Sequence, residues 1–415
     1  MEGRLANLFR RLASFCQPLF VIYKAHKTLI VNGLKYGVAL GLLSWVIWKN
    51  WKADANDGLA HIWNMHVVDG QPMPHPEFFA LAMFLCLASV LLTFVRWYVL
   101  VRAVDLPFRV SDALRLGMVG YFFNAFLPGS VGGDLLKAAF LAREHQRRTV
   151  AVATVIMDRM FSLWALIWFV AILGCGFWLN GVLESDTAVE TKQIIIGAVA
   201  ICVTSLFVWF PMGLLSNEGA ERVADKLNRL PKIGHSAAEF WRAIWMYRCR
   251  QWSVYLVMFM AFVGFFGFVL AFYFSVQTLA APTERIPTLQ EHFLVIPVGL
   301  VIQALPGLPG GLGLGEWGFG AMYDRMHCAS SLGVLGSLVY RVISWTLGLS
   351  GYLVYLRMKP RLVRAENEAE MSAAEATEPH AHSAEAEVGS RGERGGIVGR
   401  RGLATGPHAD SAALS

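Results

Sequence analysis

The sequence predicts an all-α polytopic membrane protein with six full spans and two re-entrant helical hairpins, arranged as an inverted-topology repeat. Composition is the first observation behind this fold class: 55% of the 415 residues are hydrophobic and 16% are charged, whereas soluble domains carry about 25% charged residues. Several apolar runs also reach the roughly 20 residues that a bilayer-spanning helix needs. The third observation is a sequence pattern that occurs twice, at an offset of 182 residues.

The duplicated pattern places an acid and an arginine at matching positions in both halves of the chain. Asp134 precedes Arg159 by 25 residues, and Glu316 precedes Arg341 by the same separation. The offset also aligns glycines and a serine of the two copies: Gly117, Gly133 and Ser162 with Gly299, Gly315 and Ser344. In a chain with 39 glycines, the alignment of glycines at this offset could arise by chance. An acid and an intramembrane arginine at one separation twice indicate a duplicated unit.

The chain is predicted to contain a transmembrane domain over residues 29–358 with a segment on either side. Residues 1–28 carry Leu and Phe at helical spacing beside arginines, which predicts a cytoplasmic amphipathic helix, either on an anionic leaflet or packed against the protein. The full spans follow in order: 29–51, 77–103, 150–178, 193–215, 251–280 and 332–357. Residues 359–415 are rich in Ala, Glu, Gly, Arg and Ser, and we expect a disordered cytoplasmic tail.

The charges of the connecting segments predict the orientation in the membrane. Basic residues outnumber acids in four segments: 1–28, 137–149, 217–250 and 357–364. Acids outnumber basic residues in the other three: 49–77, 179–192 and 280–292. By the positive-inside rule both termini are cytoplasmic, and we expect the plasma membrane as the location. The net charge of +6 then reflects topology, and we expect no nucleic-acid partner.

Two shorter apolar segments, one in each copy of the pattern, predict the hairpins. The first, 112–127, is too short for a comfortable span and stops at Pro128. Counting it as a full span would place basic residues outside. The charges therefore favour hairpins that enter and leave the membrane on the same side. The backbone of such a hairpin must be covered by protein or line a water-filled cavity. Three spans separate the hairpins, an odd number. The repeat halves, about 110–178 and 292–358, are therefore inverted, with a binding site near the midplane.

The two intramembrane arginines are the first candidate site residues. Each costs about 2.5–3.5 kcal/mol at the bilayer centre unless it is partnered. Ser162 and Ser344 lie three residues after them on the same helix face, which predicts a polar cavity. In one interpretation Asp134 and Glu316 compensate the arginines until an anionic ligand takes their place. In the other, the pairs are permanent salt bridges that hold each hairpin against its helix.

The Gly-rich turns before the two acids are the second candidate feature. Glycines let a backbone approach a ligand closely, and free N–H groups at a helix start attract phosphate; alternatively, the acid only caps its helix. The remaining predicted substrate-binding residues surround these acids: Asn124, Gly132, Gly133, Lys137 and Gly315. Lys137 has a second interpretation as a positive-inside residue. Asp158 is predicted as a local counter-ion of its neighbour Arg159.

The sequence predicts no metal and no cofactor. The loop HIWNMHVVDGQPMPHP contains His61, His66, Asp69 and His75, but this spacing matches no zinc pattern. The six cysteines are scattered without a CxxC motif and are predicted to be small core residues. The chain has neither a P-loop nor a nucleophile elbow, so no motif indicates nucleotide or acyl-transfer chemistry.

At these residues the chain resembles the flippase-like family that includes the transmembrane region of lysylphosphatidylglycerol synthases. The resemblance rests on PGSVGGD at 128–134, on the Asp158-Arg159 pair and on PGGLGLGE at 309–316, and covers roughly residues 25–358. It implies a role in moving lipids with charged or glycosylated headgroups between leaflets. The large synthases also carry a cytoplasmic aminoacyl-transferring domain. The 55 residues after Pro360 are too few for one, so we expect a stand-alone member without that activity.

The leading hypothesis is therefore a lipid flippase whose polar cavity takes the headgroup while the acyl chains stay in the bilayer. Without an ATP site, transport must run down a gradient or be coupled to ions or to a partner. The alternative is a membrane enzyme that modifies a phospholipid or an isoprenoid-linked sugar, with Asp134 or Glu316 as base. A third hypothesis is a non-transporting scaffold, and a lipid-synthesis enzyme is a possible protein partner. Two similar acids in inverted halves favour alternating access.

Overall fold

The structure, a computed structural model, describes most of the predicted transmembrane domain. The described residues are 31, 33–51, 59–64, 75–126, 132–144, 148–181, 188–231, 234–279, 285–305 and 308–358. The chain divides into two units, Met1–Tyr355 and Leu356–Ser415, and the described part of the second ends at Met358. The predicted N-terminal helix, the turn at Pro128 and the predicted tail lie outside the described residues.

The described residues form helices and connecting turns, with no strand among them. Helix α1 covers residues 33–50. Helices α2 to α13 follow in chain order: Leu59–Trp63, Pro76–Ala103, Val110–Phe126, Gly132–Glu144, Arg148–Leu179, Ala188–Met212, Asn217–Asn228, Gly234–Cys249, Gln251–Gln277, Leu289–Ala304, Leu314–Arg325 and Ser330–Met358. A 3-10 turn, Pro309–Gly311, lies between α11 and α12. The prediction of an all-α fold is confirmed.

Five of the described helices are long and apolar enough to cross a membrane: α3, α6, α7, α10 and α13. Helix α10, for example, has 27 residues and is about 40 Å long, more than the roughly 30 Å of a hydrocarbon core. Helix α1, of which 18 residues are described, is not among the five. Five of the six predicted spans therefore coincide with helices that could cross a membrane, and the six-span arrangement stays a prediction.

Two pairs of shorter helices lie between the long ones. Helices α5 and α12 have 13 and 12 residues, about 20 and 18 Å, which is too short for a bilayer core. Helix α4 packs against α5, and α11 packs against α12. The order long, short, short, long thus occurs twice, in α3 to α6 and in α10 to α13. The short pairs coincide with the predicted hairpins, whose re-entrant and inverted arrangement stays a prediction.

Helices α3 and α10 pack along each other at the centre of the fold. Gly267 of α10 permits their close approach, since a Cβ there would lie 2.0 Å from Ser89 Oγ of α3. Large side chains from several helices form the core around them: Phe94, Phe169, Phe272, Phe319 and Tyr340. Helix α6 contacts α3, α5, α10 and α11. This contact places the helix that carries Arg159 beside elements from both halves of the chain.

Helices α8 and α9 form an antiparallel pair between the spans α7 and α10. Trp241 Nε1 donates to the Ala220 carbonyl at 2.9 Å, and Arg242 bonds to Glu221 and Glu239. These carboxylates raise the pKa of Arg242, and the largest cause is the hydrogen bond that Arg242 donates to Glu221. These charged side chains lie at the surface of the α8–α9 pair and form a group distinct from the charged side chains within the spans.

Candidate functional site

A cavity of about 380 Å³ lies among α3, α4, α5, α6, α10, α11 and α13. Its volume falls in the range of small-molecule sites. Seven of the predicted substrate-binding residues line it: Asn124, Asp134, Lys137, Arg159, Ser162, Arg341 and Ser344. The polar faces of α6 and α13 therefore meet at one cavity, although their arginines are 182 residues apart in the sequence.

The first acid–arginine pair links the start of α5 to α6. Arg159 Nε donates to Asp134 Oδ2 at 2.6 Å, and the side chain of Arg159 is 52% exposed. Lys137 Nζ lies 3.6 Å from the other oxygen of Asp134, because residues three apart share a helix face. One carboxylate is therefore shared by two cations.

The second pair links the start of α12 to α13 in a different environment. Arg341 Nε donates to Glu316, and the side chains are 6% and 0% exposed. The other two guanidinium nitrogens of Arg341 donate to the Gly310 and Gly311 carbonyls at 3.0 and 3.4 Å. Glu316 also accepts the N–H of Gly313 at 2.7 Å, so it caps its own helix. This pair is a buried brace between the turn, α12 and α13.

Asp158 pairs with an arginine that sequence reasoning did not select. Its Oδ1 accepts from Arg96 Nε at 3.1 Å, with Nη2 at 2.9 Å, so its partner is Arg96 of α3 and not its neighbour Arg159. Both side chains are at least nine-tenths buried. The signal for Arg96 was present in the sequence, since it is a charged residue inside a predicted span.

The two serines of the pattern hold their hydroxyl hydrogens within their own helices. Ser162 Oγ donates to the Asp158 carbonyl at 2.7 Å, and Ser344 Oγ donates to the Tyr340 carbonyl at 2.9 Å. Both side chains line the cavity. They therefore present hydroxyl lone pairs, which accept hydrogen bonds, to whatever occupies it.

The glycines near the acids serve close packing of the short helices. A Cβ on Gly133 would lie 1.8 Å from the carbonyl oxygen of Gly120, and one on Gly315 would lie 3.1 Å from Gln303 Cγ. The N–H of Gly133 donates to Asn124 Oδ1 at 2.8 Å, so this group is engaged within the hairpin and not free for phosphate. Gly132 begins α5. Glu316 and the predicted glycines 132, 133 and 315 lie outside the cavity lining.

The charged side chains of the site leave a positive excess. Four cations line the cavity, Arg96, Lys137, Arg159 and Arg341. They pair with three carboxylates: Asp134 and Asp158 in the lining, and Glu316 behind it. The difference is one positive charge within a mostly apolar set of helices. Such a site favours an anionic ligand, because charges interact strongly where water is scarce.

No group of three or more metal-binding side chains occurs among the described residues. Of the loop histidines, His61 lies in α2, and His75 precedes α3 with its Nδ1 3.0 Å from Glu77 Oε1. The positions of His66 and Asp69 fall outside the described residues. The absence of a metal site stays a prediction.

The fold and the cavity define a multi-pass membrane protein with a positively charged cavity among its helices. A family model described as the lysylphosphatidylglycerol synthase TM region matches residues 33–351, and the chain belongs to this family. Among its relatives is the UPF0104 membrane protein PH1989 of Pyrococcus horikoshii, 23% identical over 308 residues, which cover 69% of this chain and 89% of the relative. No solved structure matches the chain.

Proposed function

We propose that the protein moves a lipid with an anionic or glycosylated headgroup between the leaflets of the membrane. The observation that carries this proposal is the cavity of about 380 Å³ that both Arg159 and Arg341 line. It has an excess of positive charge and is bordered by two pairs of short, interrupted helices. In transporters, interrupted helices at matching positions of two repeats surround the substrate site.

The family supports the lipid part of the proposal. Its description refers to the membrane region of synthases of a modified phospholipid, so its members function in contact with lipids. The aminoacylating activity of those synthases is not part of the proposal. Movement down a gradient, or coupling to an ion or to a lipid-synthesis enzyme, is the proposed source of energy.

The proposed topology has six full spans, with α1 as the first. The pairs α4–α5 and α11–α12 are re-entrant hairpins that enter from opposite sides, and both termini are cytoplasmic in the plasma membrane. The charges of the connecting segments support this orientation. The 18 described residues of α1 are about 27 Å long, close to the thickness of a hydrocarbon core.

The topology is tested with single cysteines in an otherwise cysteine-free protein. Cysteine at position 184 or 284 is expected to react with an impermeant thiol reagent added outside sealed cells. Arg229→Cys, at the end of α8, is expected to react only after lysis. Labelling of Arg229→Cys from outside would exclude the six-span arrangement.

Lipid movement is tested with the purified protein in vesicles that contain a trace of fluorescent lipid. A membrane-impermeant quencher reports the fraction of lipid in the outer leaflet over time. The wild type is expected to bring inner-leaflet lipid to the quencher, and Arg159→Ala is expected to abolish this movement. The matched control is Arg222→Met, which removes an arginine of α8 whose side chain is 74% exposed. Rates no higher than those of protein-free vesicles, for every anionic and glycosylated lipid tried, contradict the proposed function.

A further inference from the structure

The two halves of the site differ in the residue three positions after the acid. Lys137 follows Asp134 in α5, whereas Phe319 follows Glu316 in α12. Phe319 is fully buried, and its ring centroid is 4.3 Å from that of Phe272. Lys137 lines the cavity. The first half therefore supplies a cation that has no counterpart in the second.

The surroundings of Lys137 hold its ammonium group in a defined place. A Cβ on Gly120 would lie 2.6 Å from Lys137 Cε, so the lysine side chain crosses α4 directly over this glycine. Its Nζ lies 5.3 Å from the ring centroid of Trp97 and 5.9 Å from that of Phe94. Aromatic faces stabilise a cation at such distances. These contacts fix the position of the Lys137 ammonium group at the cavity.

The positive excess of the site is located at the Asp134 cluster, which consists of Asp134, Lys137 and Arg159. Asp134 is shared by Arg159 at 2.6 Å and Lys137 at 3.6 Å. Asp158 pairs with Arg96, and Glu316 pairs with Arg341. The last two pairs are neutral, so the charge of +1 belongs to the Asp134 cluster.

Arg159 has more free N–H donors to offer than Arg341, since a guanidinium group has five. Within the described part of the chain, Arg159 bonds through Nε alone, and half of its side chain is exposed. All three nitrogens of Arg341 are engaged. The planar guanidinium group binds two oxygens of a phosphate at once. Anion binding is therefore favoured in the first half of the site, while the second half braces the fold.

We propose that the Asp134 cluster binds a single phosphodiester, so that the lipid moved by the protein carries one such group; this rests on the proposed function. A phosphodiester has one negative charge, which cancels the charge of the cluster. A phosphomonoester carries about −1.5 to −2 at pH 7 and leaves unpaired negative charge, which is costly away from water. The phosphodiester belongs either to a glycerolipid or to an isoprenoid-linked sugar.

Variants that change the charge of the cluster in steps test this proposal in the full-length protein. Lys137→Met lowers the charge from +1 to 0, and Asp134→Asn raises it to +2. Vesicles contain one fluorescent lipid each: phosphatidylglycerol, an isoprenyl phosphohexose, phosphatidic acid, or a glycosyl diacylglycerol without phosphate. The measured quantity is the ratio of movement rates between these lipids, and Arg222→Met is the control with an unchanged ratio.

The wild type is expected to move at least one of the two phosphodiester lipids about tenfold or more faster than phosphatidic acid and the glycosyl diacylglycerol, since a hydrogen bond to a charged group contributes about 1.5–3 kcal/mol. Lys137→Met is expected to lose the preference over the glycosyl diacylglycerol, and Asp134→Asn to shift the preference toward phosphatidic acid. The phosphodiester lipid that moves faster shows whether the phosphodiester belongs to a glycerolipid or to an isoprenoid-linked sugar.

Wild-type protein that moves the glycosyl diacylglycerol as fast as both phosphodiester lipids overturns the proposal. Unchanged ratios in both variants, when they purify as folded protein, do the same. If one variant does not fold, the other decides, because each variant has its own expected change in the ratio of rates. If neither folds, the wild-type ratio decides. A wild type that moves none of the four lipids contradicts the proposed function itself, which separates the two failures.

Discussion

Arg341 and Arg159 occupy equivalent positions of the repeated sequence pattern. We nevertheless expect their removal to have unequal effects on the free energy of unfolding. Arg341→Ala takes away the partner of Glu316, which is fully buried, together with two hydrogen bonds to the Gly310 and Gly311 carbonyls. Breaking a buried ion pair by removing one partner destabilises a protein by about 3–5 kcal/mol. We expect Arg341→Ala to lose that much free energy of unfolding.

Arg159→Ala is expected to lose no more than about 1 kcal/mol, because its side chain is half exposed and exposed ion pairs contribute about 0–1 kcal/mol. The assay is denaturant unfolding in detergent micelles, followed by near-ultraviolet circular dichroism. The double variant Arg341→Met with Glu316→Gln is the control. It removes the unpaired charge and should recover part of the loss.

Equal losses for the two single alanine variants would refute the division between an open pair and a brace. A loss of less than about 1 kcal/mol for Arg341→Ala would also refute it, since a permanent buried pair cannot be removed at so small a change in stability. Failure of the double variant to recover any stability would show that the hydrogen bonds to the turn, and not the charge of Glu316, account for the effect.

Three further predictions concern contacts around the cavity. Gly133→Ala is expected to lower the free energy of unfolding by about 3 kcal/mol, because its Cβ would meet the α4 backbone at 1.8 Å; Gly176→Ala, with nothing within 4 Å, is the neutral control in the same unfolding assay. Arg96→Met should lose about 3–5 kcal/mol by leaving Asp158 unpaired, and adding Asp158→Asn should restore part of it, whereas a neutral single variant would contradict the buried pair. Asn124→Ala should lose about 1–3 kcal/mol, since the N–H of Gly133 loses its acceptor, and Asn124→Asp, which keeps an acceptor oxygen, should lose less.

The sequence alone was sufficient for the helical fold and for the two acid–arginine pairs. Apolar runs predict helices wherever a backbone must satisfy its own hydrogen bonds away from water, and the helices α3, α6, α7, α10 and α13 lie at the predicted positions. An arginine inside a span needs a partner, and the acid 25 residues earlier recurs with it in both halves. The structure forms both pairs.

The tertiary structure decided which charges are shared and which are exposed. Asp158 and Arg96 are 62 residues apart, and only the packing of α3 against α6 brings them together. The pattern is the same around Arg159 and Arg341, yet the turn carbonyls and the buried α12 enclose the second and leave the first open to the cavity. Sequence spacing defines which residues share a helix face. The dielectric surroundings of a charge, however, depend on neighbours from distant parts of the chain, and those neighbours determine whether an ion pair is open to the cavity or buried among the helices.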